Sequence, residues 1–364
     1  SPRLELSRLP PALPSTSVPR AVMKDLRPLV SLCLAMTLAA TASAQNWFDT
    51  GSLPTEPGEG ETWAVGDFDG DGDEDLWFVE GSTITWTGHR VLLGDGAGSF
   101  TPGPVASLPA GGGYLPLASE LTDLTGDGFA DVCSLRLPSA GGYALVVTPG
   151  GPGGAFGAPL TFPVPAAVEA LAFGDNDGDG VTELATLYDA APLIGADSEV
   201  RWWDWNGTTL VPSAPVVLPA AGFGDGGASG MASLDWDGDG LDDLVVGESL
   251  GSDLLVLTTV AGAPMLAGPM VLSSGSHLQP IPGDLDGDGD EDVLCVSTQA
   301  PMHTIPLLQV APGSFVVGPI SELPFSTTAI GKPRWLADWD GDGDLDLVSS
   351  RRSTSVEVAV VSLF

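Results

Sequence analysis

An aspartate-rich segment of nine residues recurs six times along the chain, and it limits the possible folds more than any other feature. Its pattern is Asp-x-Asp-Gly-Asp-Gly-x-x-Asp, with few departures. The copies begin about 50 residues apart, a period typical of repeat proteins made of short strands and turns, such as β-propellers. They span residues 67–75, 123–131, 175–183, 235–243, 284–292 and 338–346.

Each copy lies between short apolar runs that are typical of strands. One run enters the aspartate loop, as at 63–66, and a second leaves it, as at 244–247. A third strand follows, and the fourth often ends in Leu-Pro or Phe-Pro, where proline suits a sheet edge because it donates no ladder hydrogen bond. We therefore predict an all-β fold, a six-bladed β-propeller with four-stranded antiparallel blades, and seven blades as the alternative.

The two ends of the chain predict how such a ring closes. Residues 46–53 have the pattern of a fourth strand, whereas residues 355–361 have the pattern of a third strand with no fourth strand after it. Pairing these segments would tie down both termini. We predict that the N-terminal strand completes the last blade and so closes the ring.

The loop pattern predicts a calcium site. Carboxylates at positions 1, 3 and 5 can face one centre when the chain curls, and glycine at position 6 permits the turn. Position 7 offers a backbone carbonyl and position 9 a final carboxylate; hard oxygen ligands in a flexible loop suit Ca²⁺ better than Mg²⁺. The predicted ligands of about six Ca²⁺ ions are Asp67, Asp69, Asp71, Asp73, Asp75, Asp123, Thr125, Asp127, Phe129, Asp131, Asp175, Asp177, Asp179, Val181, Glu183, Asp235, Asp237, Asp239, Leu241, Asp243, Asp284, Asp286, Asp288, Asp290, Asp292, Asp338, Asp340, Asp342, Asp344 and Asp346.

Position 12 distinguishes these loops from EF-hands, because it carries no carboxylate in any copy. Thr125 replaces a carboxylate at position 3, so we expect the second site to be the weakest. Glu183 is a longer ligand at position 9 and is expected to alter the third site. A solvated acidic turn would explain one copy, but six regularly spaced copies favour metal binding. Because the crowded carboxylates repel one another, we expect calcium to stabilise the fold.

The charge of the chain argues against two classes of partner. Its 364 residues include 12 Lys and Arg and 48 Asp and Glu, a net charge of −36. So few cations cannot neutralise phosphates, which argues against nucleic acid and anionic membranes as partners.

Two further sequence features predict buried residues. Cys133 and Cys295 lie in apolar strand-like runs and are expected to be buried free thiols. In the run 202–205, with three tryptophans, strand alternation favours core packing over sugar stacking.

The first 44 residues are predicted to lie outside the fold. Residues 1–22 are expected to be an upstream extension that is disordered or not translated. Residues 23–44 combine a short basic segment, an apolar segment and the small-residue site 42–44, which is typical of a secretory signal peptide and too short for a confident membrane span. We expect residues 45–364 to be one propeller domain that is secreted, periplasmic or at the cell surface, without a transmembrane segment.

The loops resemble the FG-GAP/VCBS repeat family, calcium-loop propellers that also form the heads of integrin α-chains. The resemblance rests on the six aspartate loops, each followed by Leu or Val, and on the turn at 155–159, and it covers about residues 46–364. It implies Ca²⁺ between the first and second strands of a blade, in a bacterial-type secreted protein. Members mediate adhesion, bind carbohydrate or accompany enzymes, and the fold does not decide among these.

A cationic and aromatic group is predicted on the ring face opposite the metal loops, where it could bind an acidic glycan or a carboxylate. Ordinary surface charge is the alternative. The group consists of Trp86, His89, Arg90, Lys332, Arg351 and Arg352.

These patterns together favour a monomeric, calcium-binding extracellular module for adhesion or for binding a carbohydrate or protein ligand. The alternative is a metal-assisted hydrolase or lyase that uses one exposed calcium site. A purely structural surface component is a third possibility. Matches to Gly-x-Ser-x-Gly at 247–251 and Gly-x-Gly-x-x-Gly at 222–227 lack the helix that these motifs need. We therefore assign no catalytic residue, and on balance we do not expect the protein to be an enzyme.

Overall fold

A computed structural model shows that the regular structure of the described residues is β-strand, which confirms the all-β prediction. None of the described residues belongs to a helix with the length and hydropathy of a membrane span. The predicted extension and signal peptide, residues 1–44, lie outside the described segments. These segments are 47–49, 63–73, 75–82, 85–95, 100–107, 113–115, 122–137, 142–165, 168–188, 198–218, 228–248, 253–260, 263–272, 278–297, 302–323, 333–337, 345–352 and 356–362.

Five antiparallel sheets are each built from strands that follow one another in the chain. The first two contain β2 (Trp63–Gly66), β3 (Asp75–Ser82), β4 (Thr85–Gly94) and β5 (Phe100–Ser107), then β6 (Gly113–Leu115), β7 (Val132–Leu137), β8 (Ala144–Thr148) and β9 (Leu160–Pro163). The third contains β10 (Val168–Gly174), β11 (Glu183–Tyr188), β12 (Ser198–Trp205), β13 (Leu210–Pro212) and β14 (Val216–Leu218). The fourth contains β15 (Ala228–Leu234), β16 (Asp243–Glu248), β17 (Asp253–Val260) and β18 (Ala263–Val271), and the fifth contains β19 (Leu278–Gly283), β20 (Asp292–Ser297), β21 (His303–Ala311), β22 (Ser314–Val317) and β23 (Ser321–Glu322).

The remaining sheet joins the two ends of the chain. It consists of β24 (Pro333–Ala337), β25 (Asp346–Arg352), β26 (Val356–Ser362) and, at its outer edge, β1 (Trp47–Asp49). Trp47 pairs with Val361, and Asp49 with Ala359, in antiparallel register. The N-terminal strand therefore completes the last sheet, as the order of strand patterns at the two ends predicted.

The sheets form a β-propeller. Five are blades of consecutive strands, and the composite sheet makes six sheets among the described residues. The alternative of seven blades is wrong, because the described strands form no seventh sheet. The outer strand is split in two of the sheets: β13 and β14 both pair with β12, and β22 and β23 both pair with β21.

The second strand of the third, fourth and fifth sheets is buried along its whole length. Every residue of β11, β16 and β20 is buried. A sheet that packs between two neighbours has both faces covered, so its inner strands read as continuous apolar runs rather than alternating ones. The outermost strand β22 is largely exposed instead, since no further strand covers its edge.

Side-chain alternation assigns successive residues of a strand to the cores on either side of its sheet. In β8, Leu145 packs with Leu184 of the third sheet, whereas Val146 packs with Trp77 of the first. The remaining cores follow the same rule around the ring. One contains both Trp202 and Leu244, the next contains Val245 and Val293, and the next contains Leu294 and Leu347.

Two predictions about buried residues are confirmed. Cys133 and Cys295 are free and buried, and burial raises the pKa of both thiols. Trp202 is 0 % exposed and Trp203 4 %, so these rings belong to the cores between sheets and not to a sugar-binding surface. Trp203 Nε1 donates a 2.8 Å hydrogen bond to Thr186 Oγ1.

Candidate metal centres

The aspartate at the first position organises each described loop. In the first loop, Asp67 Oδ1 accepts hydrogen bonds from Gly70 N (2.8 Å) and Asp71 N (3.0 Å), and Asp67 Oδ2 accepts one from Gly72 N (2.9 Å). The same three bonds recur in the fourth and fifth loops. Gly72 has a φ of 94°, a conformation that glycine adopts without steric cost. The glycine therefore allows the curl that the sequence predicted.

This curl brings acidic side chains together in four loops. Each of three side chains offers one oxygen, and the three oxygens lie within 4.8 Å of one another. In three of the loops the side chains come from positions 1, 3 and 5. These groups are Asp67, Asp69 and Asp71; Asp235, Asp237 and Asp239; and Asp284, Asp286 and Asp288.

The third loop is built differently. Its group contains Asp175, Asp177 and Glu183, so position 9 takes the place that position 5 has elsewhere. Glu183 Oε2 accepts a 2.9 Å hydrogen bond from Asn176 N. The longer glutamate therefore reaches the carboxylates at positions 1 and 3, which is a specific form of the altered geometry expected from the sequence.

The second loop has no group of three acidic side chains this close among its described residues. Thr125 stands at its position 3, where the others have aspartate. Positions 1 to 7 of the sixth loop, residues 338–344, lie outside the described residues, so its predicted ligands there stay predictions.

The carboxylate at position 9 has a structural role that sequence reasoning missed. Asp75 is 0 % exposed. Its Oδ2 accepts hydrogen bonds from Phe68 N (2.9 Å) and Asp69 N (3.2 Å), and its Oδ1 accepts one from Gly94 N at the end of the third strand (2.8 Å). Equivalent bonds from the third strand or the turn after it reach Asp131, Asp243 and Asp292. Position 9 thus ties the loop to its own sheet. The sequence signal was its place directly before an apolar run typical of a strand.

Burial makes these carboxylates costly to ionise. Desolvation raises the pKa of Asp75 and Asp131 to about 6. It raises the pKa of Glu183, Asp243 and Asp292 to about 7. Backbone hydrogen bonds oppose this shift, and repulsion from other loop carboxylates adds to it. A cation bound at the loop would remove much of this penalty.

Two buried carboxylate oxygens have no hydrogen-bond partner and are suited to bind a cation. Asp69 Oδ1 and Asp243 Oδ2 are inaccessible to solvent and accept no hydrogen bond. A buried acceptor left unpaired costs on the order of 1–3 kcal/mol, and more when it is charged. Since the charged groups that act on these two residues are other carboxylates of the same loop, a hard cation such as Ca²⁺ suits the donor set. Ca²⁺ would supply charge neutralisation there.

The first and fourth loops each contact the connection between the third and fourth strands of the following sheet. Trp236, at position 2 of the fourth loop, is 7 % exposed. Trp236 O accepts hydrogen bonds from Gly313 N (2.8 Å) and Gln309 Nε2 (3.2 Å). In the first loop, the ring of Phe68 lies 4.9 Å from that of Phe156. Position 2 of the loop therefore joins neighbouring sheets.

The predicted cationic group is described only in part. Trp86, His89 and Arg90 lie in β4, and Arg351 and Arg352 end β25. The strand order places both stretches at the ends of their sheets that lie away from the aspartate loops. Lys332 lies outside the described residues. The side chain of Arg90 is partly exposed.

Comparison with known proteins supports the repeat. A family model described as an FG-GAP-like repeat matches residues 67–134 and 284–349. No curated protein matches the chain. Among solved structures, the rhamnogalacturonan lyase YesW is 14% identical, with a TM-score of 0.44, over 86% of this chain and 75% of that one. The exotype rhamnogalacturonan lyase YesX is 12% identical, with a TM-score of 0.44, over 87% and 75%. The two matched segments contain the first, second, fifth and sixth aspartate loops, and they show that this chain carries FG-GAP-like repeats.

Proposed function

We propose that this chain is a calcium-binding β-propeller whose six aspartate loops each hold one Ca²⁺ ion through the predicted ligands. The observation that carries the proposal is the grouping of three carboxylates within 4.8 Å in four separate loops. A chance acidic surface would not repeat this grouping in four loops, three times at the same positions. The buried, unpaired oxygens of Asp69 and Asp243 support it independently.

Calcium in this proposal is structural. Each ion neutralises carboxylates that otherwise repel one another beside a buried strand, and it stabilises the turn between the first and second strands of a blade. Extracellular calcium modules bind with a Kd of about 10⁻⁴–10⁻³ M. This range matches the secreted, periplasmic or cell-surface location of a bacterial-type protein that we infer from the signal-peptide pattern at 23–44. We also infer that the composite sheet acts as a sixth blade.

Calcium titration tests the proposal directly. Isothermal titration calorimetry of the chain, after EDTA treatment and dialysis, is expected to show several sites with a Kd between about 10⁻⁴ and 10⁻³ M. Asp237→Asn removes one ligand and is expected to abolish one site. Glu169→Gln removes an exposed carboxylate outside the loops and serves as the matched control. Absence of calcium binding to the unmodified chain would overturn the proposal.

The extracellular role that we propose for this propeller is binding or adhesion, with a glycan or a protein as ligand and the chain as a monomer. The inferred binding surface is the group around Trp86, Arg90 and Arg351, on the ends of the sheets away from the metal loops. A glycan array screened in millimolar calcium and again in EDTA tests it. Binding to an acidic sugar class that Arg90→Ala weakens would support this surface. No binding in either buffer would count against a carbohydrate ligand and leave proteins as candidates.

A metal-assisted hydrolase or lyase is the second candidate. It is favoured only by the exposure of carboxylates at positions 1, 3 and 5 in several loops, which leaves a bound cation accessible to a substrate. Assays of polysaccharide cleavage in calcium, with Asp237→Asn as the control, distinguish it from a binding module. Turnover that depends on one loop would favour the enzyme.

A further inference from the structure

Asp242 joins two aspartate loops that belong to different sheets. It occupies position 8 of the fourth loop, but its side chain is directed to the third. Asp242 Oδ2 accepts a 2.7 Å hydrogen bond from Asp175 N, and Asp242 N donates a 2.9 Å hydrogen bond to Asp175 O. Both backbone groups of Asp175 are therefore held by one residue that lies 67 positions further along the chain.

Asp175 is the residue that organises the third loop. Its Oδ1 accepts a hydrogen bond from Gly178 N (2.7 Å), and its Oδ2 accepts one from Gly180 N (2.9 Å). It also belongs to the acidic group with Asp177 and Glu183. The main chain that carries the first carboxylate of this group is thus fixed by a residue of the neighbouring loop.

Packing around this contact leaves little free space. A Cβ atom added to Gly174, which precedes Asp175, would lie 2.3 Å from Ser233 Oγ and 2.5 Å from Asp242 Oδ2. A Cβ added to Gly178 would lie 3.0 Å from Leu241 Cδ2. Positions 7 and 8 of the fourth loop therefore dock closely on positions 1 and 4 of the third.

The other loops carry different residues at position 8. They have Glu74, Ala130, Thr182, Glu291 and Leu345 there. Aspartate at this position is specific to the fourth loop, so the contact cannot be deduced from the repeat pattern. It is a property of this pair of sheets.

We propose that Asp242 is a positioning residue for the third calcium site and couples that site to the fourth. Calcium at the fourth loop orders the turn that carries Leu241 and Asp242, and this turn holds Asp175 in the orientation that the third ion requires. Coupling between two sites is reciprocal, so calcium at the third loop also strengthens binding at the fourth. The inference rests on the calcium-binding function proposed above.

A double-mutant cycle on the full chain tests the coupling by calcium titration calorimetry. Asp242→Ala is expected to weaken binding at the third site by roughly five- to tenfold, a usual size for coupled sites. Asp242→Asn keeps an acceptor for Asp175 N and is expected to stay within about twofold of the unmodified chain. The control is Glu169→Ala, which removes an exposed carboxylate outside the aspartate loops; it is expected to have no effect.

Asp177→Asn disables the third site and completes the cycle. In that background, Asp242→Ala is expected to cause no further loss of affinity. If Asp242→Ala causes an equal loss of calcium affinity with and without Asp177→Asn, Asp242 acts only on its own loop. This result would overturn the inference while leaving the proposed calcium binding intact. A chain that binds no calcium at all would overturn the proposed function and the coupling together. If Asp242→Ala does not fold, Leu241→Ala in the same cycle loosens the same contact and carries the test.

Discussion

Trp236 in the fourth aspartate loop stacks on Phe315 of the fifth sheet, with 3.8 Å between ring centroids and 22° between ring planes. The two residues come from different repeats, so this stacked pair joins a metal loop to the next blade. Phe315 is partly buried and lies in β22, the second strand of the hairpin that β21 and β22 form.

Removing this ring should destabilise the propeller. Phe315→Ala loses both the stacking and the packing on Trp236, so we expect the free energy of unfolding to fall by about 2 kcal/mol. Urea unfolding followed by circular dichroism measures it. Val316→Ala changes the next residue of the same hairpin, which is 47 % exposed, and should shift stability by less than about 0.5 kcal/mol. Equal effects of the two substitutions would contradict the role of the stacked pair.

Gly247 should tolerate no larger residue, because two sheets approach each other closely there. A Cβ atom at Gly247 would lie 2.1 Å from Leu278 O, at the start of the fifth sheet. We expect Gly247→Ala to lower the free energy of unfolding by about 1–3 kcal/mol, the usual cost of overpacking. Gly151→Ala is the control, since its Cβ would meet Ala155 O at an ordinary 3.5 Å. Thermal unfolding of both variants decides the point, and an unchanged melting temperature for Gly247→Ala would refute it.

Calcium removal should destabilise the whole chain. A site that is present only in the folded state contributes about 2.7 kcal/mol when free calcium is about 100 times its Kd. We therefore expect EDTA to lower the melting temperature clearly, and added calcium to restore it. The measurement is differential scanning calorimetry over a series of calcium concentrations. A melting temperature that does not depend on calcium would exclude a structural role for the ion.

The second loop should gain affinity from a single substitution. Thr125→Asp supplies the carboxylate at position 3 that the first, third, fourth and fifth loops have, so we expect calcium to bind there at least severalfold more tightly. Thr161→Asp adds the same charge at an exposed position of β9 and controls for net charge. Calcium titration of the two variants compares them. If both raise the affinity equally, the gain comes from charge and not from the loop.

Glu248 should make stability depend on pH independently of the loops. It is 4 % exposed, and burial raises its pKa above the ordinary value of 4.5. A group with a raised folded-state pKa favours the folded state below its ordinary pKa, and that contribution is lost as the pH rises through the folded-state value. We therefore expect Glu248→Gln to reduce the loss of stability as the pH rises above about 4.5. Urea unfolding at several pH values measures this, with the exposed Glu322→Gln as the control; identical pH profiles for the two variants would contradict it.

Much of the architecture could be read from local patterns. The recurrence of the aspartate loop predicted a propeller, and the strand patterns at 46–53 and 355–361 predicted the pairing of β1 with β26. These features are readable because strand periodicity and turn glycines act over a few residues. The burial of Trp202 and Trp203 was also predictable, since a strand between two sheets hides both of its faces.

The candidate sites were predictable only in outline. The repeat indicated acidic side chains at positions 1, 3, 5 and 9, but not that Glu183 joins Asp175 and Asp177 while Asp179 does not. The buried role of Asp75 under its loop also escaped the pattern, because its partner Gly94 lies 19 residues away. Hydrogen bonds of this range depend on how strands pair, which a local motif does not encode.

By itself, the sequence determined that this chain repeats one loop and one strand pattern six times, because backbone curl and strand alternation follow from neighbouring residues. Only the tertiary structure decided which loops meet. The bonds between Asp175 and Asp242, and the stack of Trp236 on Phe315, join residues of adjacent sheets. Their geometry is set by how closely two blades pack, and that distance depends on every side chain in the core between them.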